Sequence, residues 1–388
     1  MKKFFVPILL VLVSINATAQ ESNRVITTAV PFLLIAADAR SGGMADIGVA
    51  TSADAFSQQW NPAKYVFAIS KQGVGITYTP YLSNLVNDIF LGNLTYYNRL
   101  NERSAIATSF RYFSLGDIEL RDTFDQEPLI QSPNEFTFDV SYALRLSERF
   151  SMAVSGRYLS SDLKIQASNE DASAASSFAI DVAGYYQSEE IGYSDFGGRW
   201  RAGFNISNVG PKIKYDDVGQ ESFLPTNLGL GVGFDFILDQ YNKVGVNLEF
   251  NKLLVPTPPD PDLNGDGEVT DEERSRANQD YQDINFFSGM FQSFSDAPDG
   301  FSEELKEVIW ALGAEYWYQD VFAFRMGFFH ESPEKGSRQF LSLGAGFKYT
   351  TINIDMSYLF STSTVRSPLE GTLRFGLTFN CGDEYSEY

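Results

Sequence analysis

Phe136-Thr137-Phe138-Asp139-Val140-Ser141-Tyr142-Ala143-Leu144-Arg145-Leu146 places an apolar residue at every second position. Successive side chains of an extended chain point to opposite faces, so this stretch is a strand with one apolar and one polar face. The same reading fits Phe178-x-Ile180-x-Val182-x-Gly184-x-Tyr186, Leu228 to Phe236, Val244 to Phe250, Phe322 to Phe328, Leu341 to Tyr349, Ile352 to Phe360 and Leu373 to Phe379. Segments of about ten residues suit a tilted strand crossing hydrocarbon. The pattern predicts about fourteen strands, near 72–80, 88–98, 104–113, 135–146, 150–159, 177–187, 199–207, 227–237, 243–252, 306–318, 321–329, 339–350, 351–360 and 371–380. The expected fold is all-β, an antiparallel transmembrane β-barrel spanning 72–380.

The connections separate a barrel from a soluble sandwich. Those at 98–103, 147–149, 238–242, 319–320 and 350–351 are short. Those at 114–134, 160–176, 208–226, 253–305, 330–338 and 361–370 are longer. Short turns on one rim and long loops on the other characterise up-and-down outer-membrane barrels. An even strand count returns both ends of the barrel to the short-turn rim, read as periplasmic, with 381–388 as a periplasmic tail. The loop 253–305 is the largest and is read as extracellular.

Lys2 and Lys3 precede an apolar run from Phe4 to Val13, and Ala17-Thr18-Ala19 offers a small-residue cleavage site. Residues 1–19 therefore read as a secretory signal peptide, and no Cys follows them to accept a lipid anchor. Past residue 20 no apolar run reaches 18 residues, which excludes a helical membrane protein. The 388 residues include 33 Phe and 20 Tyr, a content that a lipid-facing wall with aromatic girdles accounts for. A net charge of −21 argues against nucleic acid as a partner, because phosphate binding needs a basic stripe. The one cysteine, Cys381, permits no internal disulfide and reads as an idle thiol beyond the last strand.

Residues 20–71 do not alternate. Val30-Pro31-Phe32-Leu33-Leu34-Ile35 is an apolar patch, Arg40-Ser41-Gly42-Gly43-Met44 is loop-like, and Ala53 to Ala63 ends on Trp60-Asn61-Pro62-Ala63. So much apolar character ahead of the first strand predicts a plug in the barrel mouth. On the inner face of one strand, Asn227, Gly229, Gly231, Gly233 and Asp235 leave room for it, as do Gly344 and Gly346 on another.

Trp60-Asn61-Pro62-Ala63 ahead of a barrel of about fourteen strands resembles the FadL family of outer-membrane transporters, whose N-terminal segment forms a lumen hatch carrying an Asn-Pro-Ala motif. More narrowly, Ala39-Arg40-Ser41-Gly42-Gly43-Met44-Ala45-Asp46-Ile47-Gly48-Val49-Ala50-Thr51, followed by Gln59-Trp60-Asn61-Pro62-Ala63-Lys64, resembles the PorV (LptO) family of the type IX secretion system of Bacteroidota. The resemblance covers essentially the whole chain past the signal peptide. It implies a cargo shuttle in the outer membrane that binds the folded C-terminal signal domain of secreted cargo proteins. It further implies association with a SprA-type translocon barrel and transfer of cargo to a sortase that attaches it to surface lipopolysaccharide. The wider FadL family implies an alternative, passage of hydrophobic small molecules through the lumen.

Catalytic chemistry is not expected. His330, in Phe328-Phe329-His330-Glu331, has no nucleophile motif nearby, the Gly-x-Ser-x-Gly elbow is absent, and nothing spaces Cys and His for zinc. His330 reads as an interfacial residue of an aromatic girdle. One motif matches a mechanism: Asp262-Leu263-Asn264-Gly265-Asp266-Gly267-Glu268-Val269-Thr270-Asp271-Glu272-Glu273 satisfies the calcium-loop pattern. In that geometry Asp262, Asn264 and Asp266 give side-chain oxygens and Glu268 its backbone carbonyl. Thr270 acts directly or through water, and Glu273 closes the shell. The expected role is to stiffen the loop; the alternative is a solvated acidic loop. Further on, Phe287, Met290, Phe291 and Phe294 share the spacing of one helical face, which either packs on the rim or docks a partner.

Overall fold

Fourteen strands pair edge to edge and close on themselves in the computed structural model, which describes residues 24–83, 86, 88–121, 127–163, 174–215, 220–363 and 367–385. They are β1 (Ser70–Pro80), β2 (Ile89–Arg99), β3 (Ser104–Leu115), β4 (Asn134–Arg145), β5 (Phe150–Asp162), β6 (Ala175–Gln187) and β7 (Gly197–Val209). Then follow β8 (Asn227–Ile237), β9 (Asn242–Leu253), β10 (Ile309–Tyr318), β11 (Phe322–His330), β12 (Gln339–Tyr349), β13 (Ile352–Ser361) and β14 (Leu373–Glu384). Each strand pairs antiparallel with its sequence neighbours, and β14 returns to β1 with Gly75 opposite Thr378. Closure removes the unpaired edges that an open sheet would expose to lipid. The signal-peptide reading falls outside the described residues.

Alternation sorts the side chains as the sequence predicts. On β4 Phe138, Val140 and Tyr142 are about half exposed, while Thr137, Asp139, Ser141 and Ala143 are buried toward the lumen. Outward rings meet across neighbouring strands, as Phe110–Phe136 at 5.9 Å, Phe136–Tyr158 at 6.1 Å and Tyr158–Phe178 at 5.3 Å. These are the cross-strand pairs that stabilise a sheet face. His330 lies at the outward end of β11 with its ring 5.2 Å from that of Trp310.

Turn chemistry holds the short rim. Asn101 Oδ1 accepts from Arg103 N and Ser104 N at 2.8 and 3.0 Å, and Asp239 Oδ1 accepts from Tyr241 N and Asn242 N at 2.7 and 2.9 Å. Gln319 and Asp320 take φ of 56° and 55°, the paired left-handed geometry of a tight hairpin between twisted strands. Boundaries shift from the sequence reading by a few residues on several strands, and two of the shifts have a clear physical cause. The strand expected from 306 begins at Ile309, because Phe301–Lys306 forms a helical turn. The last strand runs to Glu384 and so contains Cys381, which is exposed and pairs in register with Gln72. Backbone pairing with β1 carries the strand past the point where the apolar alternation ends.

With Cys381→Ser as background, an impermeant maleimide should label Glu268→Cys on intact cells. Glu148→Cys and Gln240→Cys should label only after the outer membrane is permeabilised. Equal labelling of all three on intact cells contradicts the assignment of the rims.

Candidate functional site: the lumen segment and the long-loop rim

Residues 24–69 run through the barrel from one rim to the other. Ala29 N donates to Phe223 O (2.9 Å) at the long-loop rim, and Arg99 donates to Ala68 O (2.5 Å) at the short-turn rim. The segment thus traverses the lumen along its length, where the sequence predicts a plug at the mouth, and leaves a cavity of about 310 Å³ bordered by Arg40, Asp54, Arg201, Asp235, Glu315 and Arg325.

The upper stretch is apolar. Val30, Phe32 and Leu33 are buried against Leu91, Phe113 and Leu159, and the Phe32 and Phe113 rings stack at 5.9 Å. In the middle, the wall is carved by glycine. A Cβ on Gly327 would lie 2.3 Å from Met44 C and 2.5 Å from Ala45 N, and one on Gly313 would lie 2.8 Å from Met44 O. A Cβ on Gly344 would lie 2.9 Å from Gly43 Cα, and one on Gly231 would meet Ala50 at 2.9 Å. These glycines supply the absence of a side chain, which lets two backbones approach. Lower down, Tyr65 and Val66 lie against the inward alanines Ala105, Ala107, Ala143, Ala153 and Ala183, and Tyr65 stacks on Tyr97 at 4.9 Å. Burying a side chain such as Phe32, Met44 or Ile47 contributes roughly 1.5–3 kcal/mol.

Buried charges fix the register of the segment. Arg40 donates to Glu315 Oε1 and Oε2 at 2.8 and 3.0 Å and to Asp54 at 2.8 Å. Glu315 is also bound by Arg325, which reaches on to Asp355 at 2.6 Å. Glu249 Oε2 accepts from both Gly48 N and Val49 N, at 2.9 and 2.8 Å. Removing one partner of such a pair strands a buried charge, at a cost of about 3–5 kcal/mol.

The Trp60-Asn61-Pro62-Ala63 motif is a joint within this segment. Trp60 Nε1 donates to Asp38 Oδ2 (2.7 Å), tying the two halves together. Asn61 caps the 3₁₀ turn Pro62–Phe67 by accepting from Ala63 N (3.1 Å), while its Nδ2 donates to Val49 O and to Gly184 O, both at 3.0 Å. Pro62 holds the φ of the first helical position, where a missing N–H costs nothing. Lys64, next in sequence, donates to Gly48 O and Thr51 Oγ1 at 2.7 and 3.0 Å.

The long-loop rim carries the other candidates. Between β9 and β10 lie the helices Asp271–Asp283, Phe286–Gln292 and Phe301–Lys306. Ion pairs bind this loop to the rim: Lys252 Nζ lies 3.0 Å from Glu304 and 2.6 Å from Glu307, and Lys335 lies 2.6 Å from Glu303 and 2.9 Å from Glu307. Arg24, at the start of the lumen segment, reaches Asp260, Asp299 and Glu303. Burial works against the Glu307 carboxylate, yet hydrogen bonds from Lys252, Thr257 and Lys335 hold it below the ordinary range. Against this framework Phe287, Phe291 and Phe294 are 58, 64 and 50 % exposed, and Phe301 is 76 % exposed. Met290 turns inward and is buried, so the four residues sharing a helical spacing do not share a surface. Phe294 also lies beyond the helix end.

The acidic turn is placed on the exposed part of that loop. Asp262 accepts from Gly265 N and Gly267 N, both at 2.8 Å, Asn264 accepts from Asp266 N at 2.8 Å, and Asp266 accepts from Glu268 N at 2.8 Å. Gly265 and Gly267 take φ of +74° and +84°, which only glycine adopts without strain. Glu273 is engaged in a capping box with Thr270. Among the described residues no three His, Cys, Asp or Glu side chains gather closely enough to hold a metal ion.

Sequence reading missed the inward charges Glu249, Glu315, Arg325 and Asp355. Their signal was a charged residue at a lumen position of an apolar strand. Such a residue announces a buried partner without saying which.

A closed barrel with an apolar outer wall and its own chain threaded through the lumen defines an outer-membrane β-barrel protein. The family model for the type IX secretion system protein PorV matches residues 18–260, and the chain belongs to that family. No curated protein matches the chain. Among solved structures, the CymD monoaromatic hydrocarbon channel is 13% identical, covers 92% of this chain and 99% of its own, and gives a TM-score of 0.48. The Pseudomonas putida toluene transporter TodX is 9% identical, with coverage of 90% and 99% and a TM-score of 0.47. A Pseudomonas aeruginosa FadL homologue is 10% identical, with coverage of 89% and 98% and a TM-score of 0.43. The protein resides in the outer membrane as a component of the type IX secretion system.

Gly327→Val should force its side chain into the Met44–Ala45 backbone, costing on the order of 1–3 kcal/mol or more. It should lower the temperature at which the heat-modifiable barrel unfolds and open 24–69 to protease. Gly156→Val meets open space on the outer wall and should leave both readings unchanged. Equal behaviour of the two variants contradicts the close fit of the segment.

Proposed function

We propose that the chain holds secreted cargo by its C-terminal signal domain at the long-loop rim and associates there with the SprA-type translocon barrel, passing cargo to the surface sortase. The observation that carries this reading is the set of exposed phenylalanines, Phe287, Phe291, Phe294 and Phe301, on a loop fixed to the rim by Lys252, Lys335 and Arg24. Aromatic residues are enriched where proteins dock, and a loop already ordered loses less entropy on binding. In this reading residues 24–69 act as a standing plug, the barrel is not an enzyme, and the lumen is not a route for ligands.

Deleting 284–296 should leave a folded barrel but abolish cargo or translocon association. Secreted proteins should accumulate in the periplasm, while growth on fatty acids stays normal. Intact secretion would remove this loop as the docking surface. If loss of the whole protein impaired hydrophobic uptake and not secretion, a FadL-like transporter would be the better reading.

We further propose that calcium binds the 262–273 turn and stiffens the loop. Asp262, Asn264, Asp266, the Glu268 carbonyl and Thr270 supply oxygens, and Glu273 exchanges its capping box for the metal. Calcium should then protect 253–305 from protease, EDTA should expose it, and Asp262→Ala or Glu273→Ala should mimic EDTA with the barrel inserted. Identical digestion with and without calcium removes the site.

A further inference from the structure

The lower half of the lumen segment sits to one side of the barrel. Its 3₁₀ turn Pro62–Phe67 rests on the inward alanines of β3 to β6, so the wall from β7 to β14 faces the cavity of about 310 Å³ instead. Ser52 to Phe56 and the Arg40–Glu315–Arg325 cluster bound it on the inner side, and it opens at the short-turn rim between Lys243 and Asp320. A solute that enters there leaves by the same opening, so the space is a pocket and not a stretch of conduit. Its size lies at the low end of ligand pockets, which run from roughly 300 to 1,000 Å³.

The charges of the pocket are unlike those of the chain. Acidic residues outnumber basic ones 50 to 29 in the sequence, whereas this lining holds six Arg and Lys against five Asp and Glu. The deep charges satisfy one another, since Arg40 and Arg325 are shared among Asp54, Glu315 and Asp355. The shallow cations are less well matched. Arg201 is 5 % exposed and bound to Asp235, yet its buried Nε has no acceptor among the described residues. Lys348, inward on β12, has no ion pair or side-chain hydrogen bond among them either. Lys243 has only the exposed pair with Asp320 at 3.1 Å, which water screens.

Gly245 keeps the space beside Arg201 open, because a Cβ there would lie 2.9 Å from Asp235 Oδ1 and 3.5 Å from Arg201 Nη2. Phe56, Ile237 and Trp317 add apolar surface to the lining. On β13, Asn353 Oδ1 is buried without a donor, and an amide N–H would supply one.

We propose that this pocket binds a carboxylate carried on a short, peptide-like apolar body that enters from the periplasm. The carboxylate gives the Arg201 Nε–H the acceptor that the protein withholds, in the strong charge-assisted form. Lys243 and Lys348 draw the anion toward the opening. The aromatic lining takes the apolar body, and Asn353 accepts from an amide of its backbone. The carboxy end of a polypeptide and a free aromatic acid both offer this chemistry.

The test is equilibrium dialysis of the full chain, purified in a non-ionic detergent, against N-acetyl-Ala-Ala-Phe, its C-terminal amide and phenylpropionate. The tripeptide acid should bind, and the amide should bind about tenfold more weakly or worse, the effect of losing one charge-assisted hydrogen bond. Phenylpropionate equal to the tripeptide assigns the pocket to small aromatic acids, and weaker binding assigns it to a polypeptide end. Arg201→Lys keeps a cation for Asp235 but offers no Nε–H, and it should weaken the acid while leaving the amide unchanged. Lys243→Gln, at the exposed opening, should weaken the acid several-fold with the barrel intact should Arg201→Lys fail to fold. Equal binding of acid and amide, or binding of neither, overturns the proposal. So does an affinity for the acid that Lys243→Gln and a folded Arg201→Lys both leave unchanged.

Discussion

About eight strands already enclose the width that side chains can fill, so a wall of fourteen leaves a lumen that something must occupy. In this protein the occupant is the chain itself, and the rest of the interior follows from that contact. The wall yields glycine where the segment's backbone touches it, alanine where the 3₁₀ turn rests, and carboxylates where the segment offers N–H groups or Arg40. The fit is reciprocal: Gly43 has no side chain opposite Gly344, and the Asn61 amide bonds the segment to itself and to the wall at once.

The long rim is organised by charge more than by burial. Lys252 and Lys335 share the carboxylates of Glu303, Glu304 and Glu307, and they hold a helical turn against β9. Such a network orders the loop and leaves its phenylalanines facing out. At the other rim short turns reverse the chain, and the hairpin at 188–196 adds rings to the outer wall.

The fold was legible because the period of two is imposed by two solvents. Lipid outside demands Phe138, Val140 and Tyr142, and a wet or ion-paired interior accepts Asp139 and Ser141. The loop lengths and the Gly229-x-Gly231 face were readable for the same reason. What stayed hidden was pairing at long sequence distance. Nothing in Ala39-Arg40-Ser41 says that the guanidinium meets Glu315, or that Met44 lies on Gly327. Helical spacing alone did not separate the residues of 287–294, since the short helix Phe286–Gln292 against Pro256 sends Met290 inward and the phenylalanines outward. The acidic turn was legible as a motif, and its internal hydrogen bonds to Gly265 N and Gly267 N were not.

The central claim is that the lumen segment is a fixed part of the barrel while the work is done at the rim. Ala45 N donates to Ser342 Oγ at 2.8 Å, which places these two residues side by side across the segment–wall contact. A disulfide between Ala45→Cys and Ser342→Cys, in a Cys381→Ser background, would lock the segment to β12. Secretion of cargo by cells carrying the locked protein is the measurement. The account predicts secretion equal to that of the unlocked protein, whereas a loss that a reductant restores would contradict it.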